Sequence, residues 1–130
     1  MKPELFYLAL TAALTGLLWL PYILDRVLKW GLLDAVGYPA DPKPQSDWAR
    51  RLMKAHQNAV ENLVVFGVLV LVAHAMGIAS PAIATAAAVY FWARVVHVLA
   101  YTFKLPWIRT LGFFVGFLAQ AVVAWTILVA

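Results

Sequence analysis

The chain contains no cysteine, which excludes disulfides, a protein thiolate nucleophile and thiolate metal ligands. Any thiol chemistry has to arrive with a substrate. Charge is equally scarce: 12% of residues are charged, with 6 acidic side chains against 10 basic ones. The basic residues cluster beside apolar runs, where topology and lipid headgroups account for them, so the formal charge of +4 does not mark a nucleic-acid partner. The 3 histidines are scattered, with no pair at i,i+4 on one helix face, and no metal site is expected. Neither a glycine-rich phosphate loop nor a Ser/His/Asp arrangement stands out. With 130 residues and several apolar runs, no separate soluble domain fits.

What the chain has in abundance is apolar sequence: 65% of residues are hydrophobic and mean hydropathy is +0.84. Runs of about 20 apolar residues, enough to cross a roughly 30 Å hydrocarbon core as helix, recur four times. The boundaries predict spans over residues 5–30, 47–76, 81–103 and 106–129. Ser46 or Asp47 is the expected N-cap of the second span, and Pro81 opens the third at a first-turn position. Gly37, Pro39, Pro42 and Pro44 mark residues 31–46 as a loop. Gly112 and Gly116 have the spacing that lets membrane helices approach closely. The expected fold class is all-α, an integral membrane antiparallel four-helix bundle forming a single domain. The first span is too long for a signal-peptide core and no small-residue cleavage site follows it, so it reads as retained.

Arg26, Lys29, Lys43, Arg50, Arg51 and Lys54 flank the first loop, and Lys104 and Arg109 the third, whereas the second loop has no charge. By the positive-inside rule the first and third loops are cytoplasmic and both termini lie outside. That pattern fits a bacterial inner membrane.

Two of the spans carry polar stripes. At 100° per residue, Arg51, Lys54, Asn58, Glu61 and Asn62 fall within an arc of about 100°, and Tyr90, Arg94, His97 and Tyr101 within about 60°. Ionisable groups at membrane depth are costly and usually face a bundle interior or a wet cavity, pairing with one another. Glu61 and Arg94, each about two turns inside its helix, are expected to form an ion pair. A structural pin of that kind leaves Asn58, His97, Tyr101 and Arg109 unexplained. Together these groups suit a small zwitterionic, mostly anionic ligand. Arg51 is expected to snorkel to headgroups. His56 falls off the stripe, and Tyr22 with the tryptophans fits an aromatic belt.

The run Lys54-Ala55-His56-Gln57-Asn58-Ala59-Val60-Glu61-Asn62, followed by an apolar stretch containing Phe66, resembles the second-helix signature of the MAPEG family, the membrane-associated proteins in eicosanoid and glutathione metabolism. Ala93-Arg94-Val95-Val96-His97-Val98-Leu99-Ala100-Tyr101, then Lys104-Leu105 and Ile108-Arg109-Thr110, is similar to its segment joining the third and fourth helices. The resemblance covers most of the chain. It implies a homotrimer that binds glutathione between subunits in the cytoplasmic leaflet and uses its thiolate on a lipophilic electrophile or hydroperoxide. By the same resemblance Lys54, Asn58, Glu61, His97, Tyr101 and Thr110 are glutathione contacts, Arg26 is a contact from the adjoining subunit, and Arg109 stabilises the thiolate.

Two departures favour a different class of function, a catalytically silent scaffold or accessory subunit of a larger complex. Lys54 stands where catalytic members usually carry arginine, and lysine cannot make the planar bidentate clamp on a carboxylate. The segment from Tyr101 to Arg109 is also one residue shorter than in the prostaglandin-synthesising branch. An ion or proton conduit using Glu61, Arg94 and His97 ranks last, since Leu63 to Ala73 supplies no polar path onward.

Overall fold

A computed structural model describes all 130 residues as six helices and no strand: α1 (Pro3–Leu17), α2 (Trp19–Trp30), α3 (Leu32–Val36), α4 (Asp47–Ala75), α5 (Pro81–Thr102) and α6 (Pro106–Leu128). Four helical stretches are long and apolar enough to cross a membrane, with α1 and α2 together forming the first. The chain is thus an all-helical integral membrane protein with four spans, as its sequence suggests.

The first span differs from expectation in being divided at Leu18. Pro21 lacks an N–H and its ring crowds the carbonyl four residues earlier, which interrupts the helical ladder. Just before the break, Thr11 and Thr15 turn their hydroxyls onto the carbonyls of Tyr7 and Thr11, at 2.7 and 2.8 Å. The loop after the first span also contains a helix that was not foreseen, the single turn and a half of α3. Gly31, at φ +82°, separates it from α2 in a conformation that L side chains rarely adopt.

The remaining connections are tight. After α4, Gly77 takes φ +69° and Ile78 N–H donates to Ala73 O at 2.9 Å, a Schellman end. Ser80 accepts from Ala82 N at 3.1 Å to cap α5, and Pro81 occupies its first turn. Only three residues join α5 to α6, and Lys104 is forced to φ +61° while Leu105 N–H donates to Ala100 O at 2.8 Å.

Helix α5 lies at the centre, packing on α6 most extensively and also on α1 and α4. Gly112 explains the closeness of α5 and α6. A Cβ there would stand 3.3 Å from Ala93 O and 3.3 Å from His97 N. Toward the uncharged end, Phe66 stacks on Tyr90 with centroids 3.9 Å apart, among Val70, Ile83, Ala87 and Val123. Toward the basic end, Leu18, Leu52, Ala55, Ala59 and Val98 form a second apolar cluster. Between the two runs a polar layer.

Candidate functional site

The polar layer is built from α4, α5 and α6. Arg94 on α5 is buried and donates from a guanidinium nitrogen to Asn58 Oδ1 on α4 at 2.6 Å. Asn62, one turn further along α4, donates to Asn58 O at 2.9 Å, and Gln120 on α6 donates to Asn62 O at 3.2 Å. The three spans are therefore cross-linked by amides around one cation. The ion pair expected between Glu61 and Arg94 does not form. Asn58 occupies the side of α4 that faces α5, whereas Glu61, some 60° round the helix, is exposed and accepts only from Gln57 Nε2, at 3.3 Å. The only ion pair in the chain joins Arg50 to Asp47 at the start of α4.

Toward the basic end this layer opens into a cleft of about 280 Å³ lined by Asn58, His97, Tyr101, Arg109, Thr110 and Phe113. The Arg109 guanidinium sits over the Tyr101 ring, 4.9 Å from its centroid, in cation–π contact. His97 packs edge-on to Tyr101, with centroids 5.6 Å apart. Its Nδ1 is buried and has no hydrogen-bond partner, as is true of Arg94 Nε and Tyr90 Oη. Buried polar atoms are nearly always paired, so these three stand out. The short α5–α6 connection, with Lys104 at φ +61°, leaves Arg109 lining the cleft. A second cleft of about 300 Å³, lined by Arg51, Lys104 and Leu105 among others, shares Tyr101 and Arg109 as its wall.

Five of the residues singled out in the sequence, Asn58, His97, Tyr101, Arg109 and Thr110, are thus brought together. Three are not. Lys54 lines a separate cavity of about 430 Å³ with Tyr22, Arg50, His56 and Gln57, Glu61 points away, and Arg26 is held against the loop, donating from Nε to Gln45 Oε1 at 3.3 Å with its guanidinium 5.0 Å from the Trp30 ring centroid.

Other residues do more than the sequence suggested. Arg51 has a partner within the chain: its Nε donates to Thr102 O at 2.9 Å, where the carbonyl end of α5 favours a cation. Tyr22 is no mere belt residue, since its Oη shares a 2.8 Å hydrogen bond with His56 Nδ1 and ties α2 to α4. Gln120 was overlooked altogether. Its signal was available: it is the only amide in α6, and it follows Gly112 and Gly116 at intervals of four on a single face.

No grouping of three or more metal-ligating side chains exists in the chain. A family model, that of the MAPEG family, matches residues 8–129, nearly the whole chain. No curated protein matches it.

Proposed function

The chain belongs to the MAPEG family, and from that premise we propose that it binds glutathione and presents its thiolate to a lipophilic electrophile or hydroperoxide. The observation that carries this reading is the cleft in which Arg109, Tyr101, His97, Asn58 and Thr110 converge. It holds a fixed cation beside hydrogen-bonding groups and opens at the basic end of the bundle, where a water-soluble anion can enter.

A thiol with a reference pKa of about 8.5 is only a few per cent ionised at neutral pH, and a neighbouring guanidinium in a poorly hydrated cleft favours the anion. Arg109 supplies that charge. Its stacking on Tyr101 limits the directions the guanidinium can take, so the charge is in place before the ligand arrives. Lowering a thiol pKa by two units corresponds to about 2.7 kcal/mol, within reach of one charge partly shielded from water. Asn58, His97 and Thr110 then offer hydrogen bonds to the peptide portion. The thiolate attacks an electrophile that arrives from the bilayer, and a sulfur–carbon bond forms as the leaving group departs with its electron pair.

The cleft is small. At about 280 Å³ it lies near the lower end of the roughly 300–1,000 Å³ typical of ligand pockets. We therefore place the rest of the site on a neighbouring copy in a homotrimer, with exposed Glu61, Lys54 and Arg26 available to a ligand shared between subunits. The basic loops lie in the cytoplasm in this reading and the termini outside, as in a bacterial inner membrane.

The test is thiolate formation on bound glutathione, read as ultraviolet absorbance of the detergent-solubilised protein. Arg109→Ala abolishes that signal, and thiolate absorbance equal to that of the unaltered protein overturns the assignment. The silent-scaffold reading rests on the short α5–α6 connection and on Lys54, which lines another cavity rather than the cleft. No binding at millimolar glutathione decides in its favour.

A further inference from the structure

We propose that α3 is an interfacial foot whose apolar face lies in the headgroup region of the bilayer at the basic end of the bundle. Leu32, Leu33 and Val36 are 63%, 84% and 72% exposed. At 100° per residue they span an arc of about 100°, and Asp34 falls on the opposite side. The helix is too short to stand alone, and nothing in the chain covers this face.

Two observations select a lipid surface as its occupant. The first is continuity. Leu24 and Leu28 on α2, 61% and 85% exposed, form a lipid-facing strip that leads directly to Leu32 past the bend at Gly31. The span from Pro3 to Trp30 has 28 residues, about 42 Å of helix at 1.5 Å per residue. A bilayer with its headgroups measures about 40–45 Å, so α3 begins at headgroup level.

The second is charge. Lys29 and Lys43, both exposed, flank the leucines on either side in sequence, and with exposed Asp34 and Asp41 between them the segment sets both signs of charge around its apolar face, which suits zwitterionic headgroups above buried apolar side chains. Gly31 is the element that permits the turn from a spanning to an interfacial direction, since its φ of +82° is one that other residues rarely adopt.

The absence of cysteine makes the test clean. Leu33→Cys, Asp34→Cys and Asp41→Cys, each carrying a nitroxide label, are reconstituted into vesicles of mixed zwitterionic and anionic phospholipid. Collision with dissolved oxygen is compared with collision with a water-soluble nickel chelate. The expected result is an oxygen-to-nickel ratio several-fold higher at position 33 than at positions 34 and 41. Equal ratios at 33 and 41 would place α3 in water and overturn the proposal. Low accessibility of position 33 to both reagents would mean that a second copy of the chain covers the face, and overturns it equally. All three positions are exposed in the structure, so labelling them leaves the bundle intact, and circular dichroism of the labelled proteins checks this.

Discussion

Gly112 and Gly116 have the same spacing signature but different neighbours. A Cβ at position 112 meets backbone atoms of α5 at 3.3 Å, whereas at 116 the nearest atom is Arg94 Cδ at 3.7 Å, ordinary contact with a flexible stem. Backbone cannot yield as a side chain can. Gly112→Ala is therefore expected to push α6 off α5 and cost about 1–3 kcal/mol, the range for overpacking a filled interior, while Gly116→Ala stays near neutral. Thermal unfolding of both variants in the same detergent measures the difference, and equal midpoints would show that the two glycines are interchangeable. This contrast was not legible in the sequence, which gave the motif but not which glycine touches backbone. The same limit explains the missing Glu61–Arg94 pair. Helical periodicity correctly assigned both residues to polar faces, yet an arc of 100° is wide enough to hold one residue that faces the neighbouring helix and another that faces outward. Asn58 and Glu61 divide that arc between them. An unpaired buried guanidinium costs several kcal/mol, and here the Asn58 amide oxygen takes the place of a carboxylate as its hydrogen-bond partner.

Among the elements, the joint between α2 and α4 depends on a contact that no sequence pattern announced. Ser46 occupies the N-cap position of α4, as expected, but its side chain makes no cap hydrogen bond. Its Oγ donates instead to Asp25 Oδ1 at 2.6 Å, and its N–H donates to Asp25 Oδ2 at 3.0 Å. Asp25 is buried and also accepts from Gln45 Nε2 at 3.3 Å, so the loop and the start of α4 are clamped to α2 by a carboxylate that three donors satisfy. A hydrogen bond to a charged group contributes about 1.5–3 kcal/mol. Asp25→Ala should release the clamp, and hydrogen exchange at the Ser46 amide should accelerate by an order of magnitude or more while amides in the middle of α5 keep their protection. Uniform acceleration throughout the bundle would instead mean that Asp25 supports the global fold. Ser46→Ala, which keeps the N–H donor, should fall between the two. The element boundaries themselves were well marked by Pro81, Pro106 and Gly77, because those residues act on their own backbone. Long-range partners such as Asp25 with Ser46, or Tyr22 with His56, depend on how spans are placed in space, and composition carries no record of that.

At the scale of the molecule, the isolated chain exposes 7921 Å², whereas a compact globular monomer of 14.4 kDa would expose about 6,800 Å². The excess is the surface of a slender bundle whose outer faces are largely apolar, with Leu24, Val64, Phe114 and Trp125 among the exposed side chains. Lipid can cover such faces. It does not suit Glu61, an exposed carboxylate within a span, because ionisable groups at that depth are driven toward protein or water. Exposed Glu61 and a small cleft are features that association of copies would relieve at once. Native mass spectrometry in mild detergent is accordingly expected to give a closed homo-oligomer, a trimer in the reading proposed above. Because a ligand that binds only the assembled state stabilises it by RT ln(1 + [L]/Kd), glutathione at about 100 times its Kd should add about 2.7 kcal/mol to the oligomer. Chains dispersed to monomers in excess detergent should gain far less, since each then offers only one wall of the site. Equal stabilisation of monomer and oligomer by glutathione would show that a single copy holds the whole site and that the shared-cleft proposal is wrong.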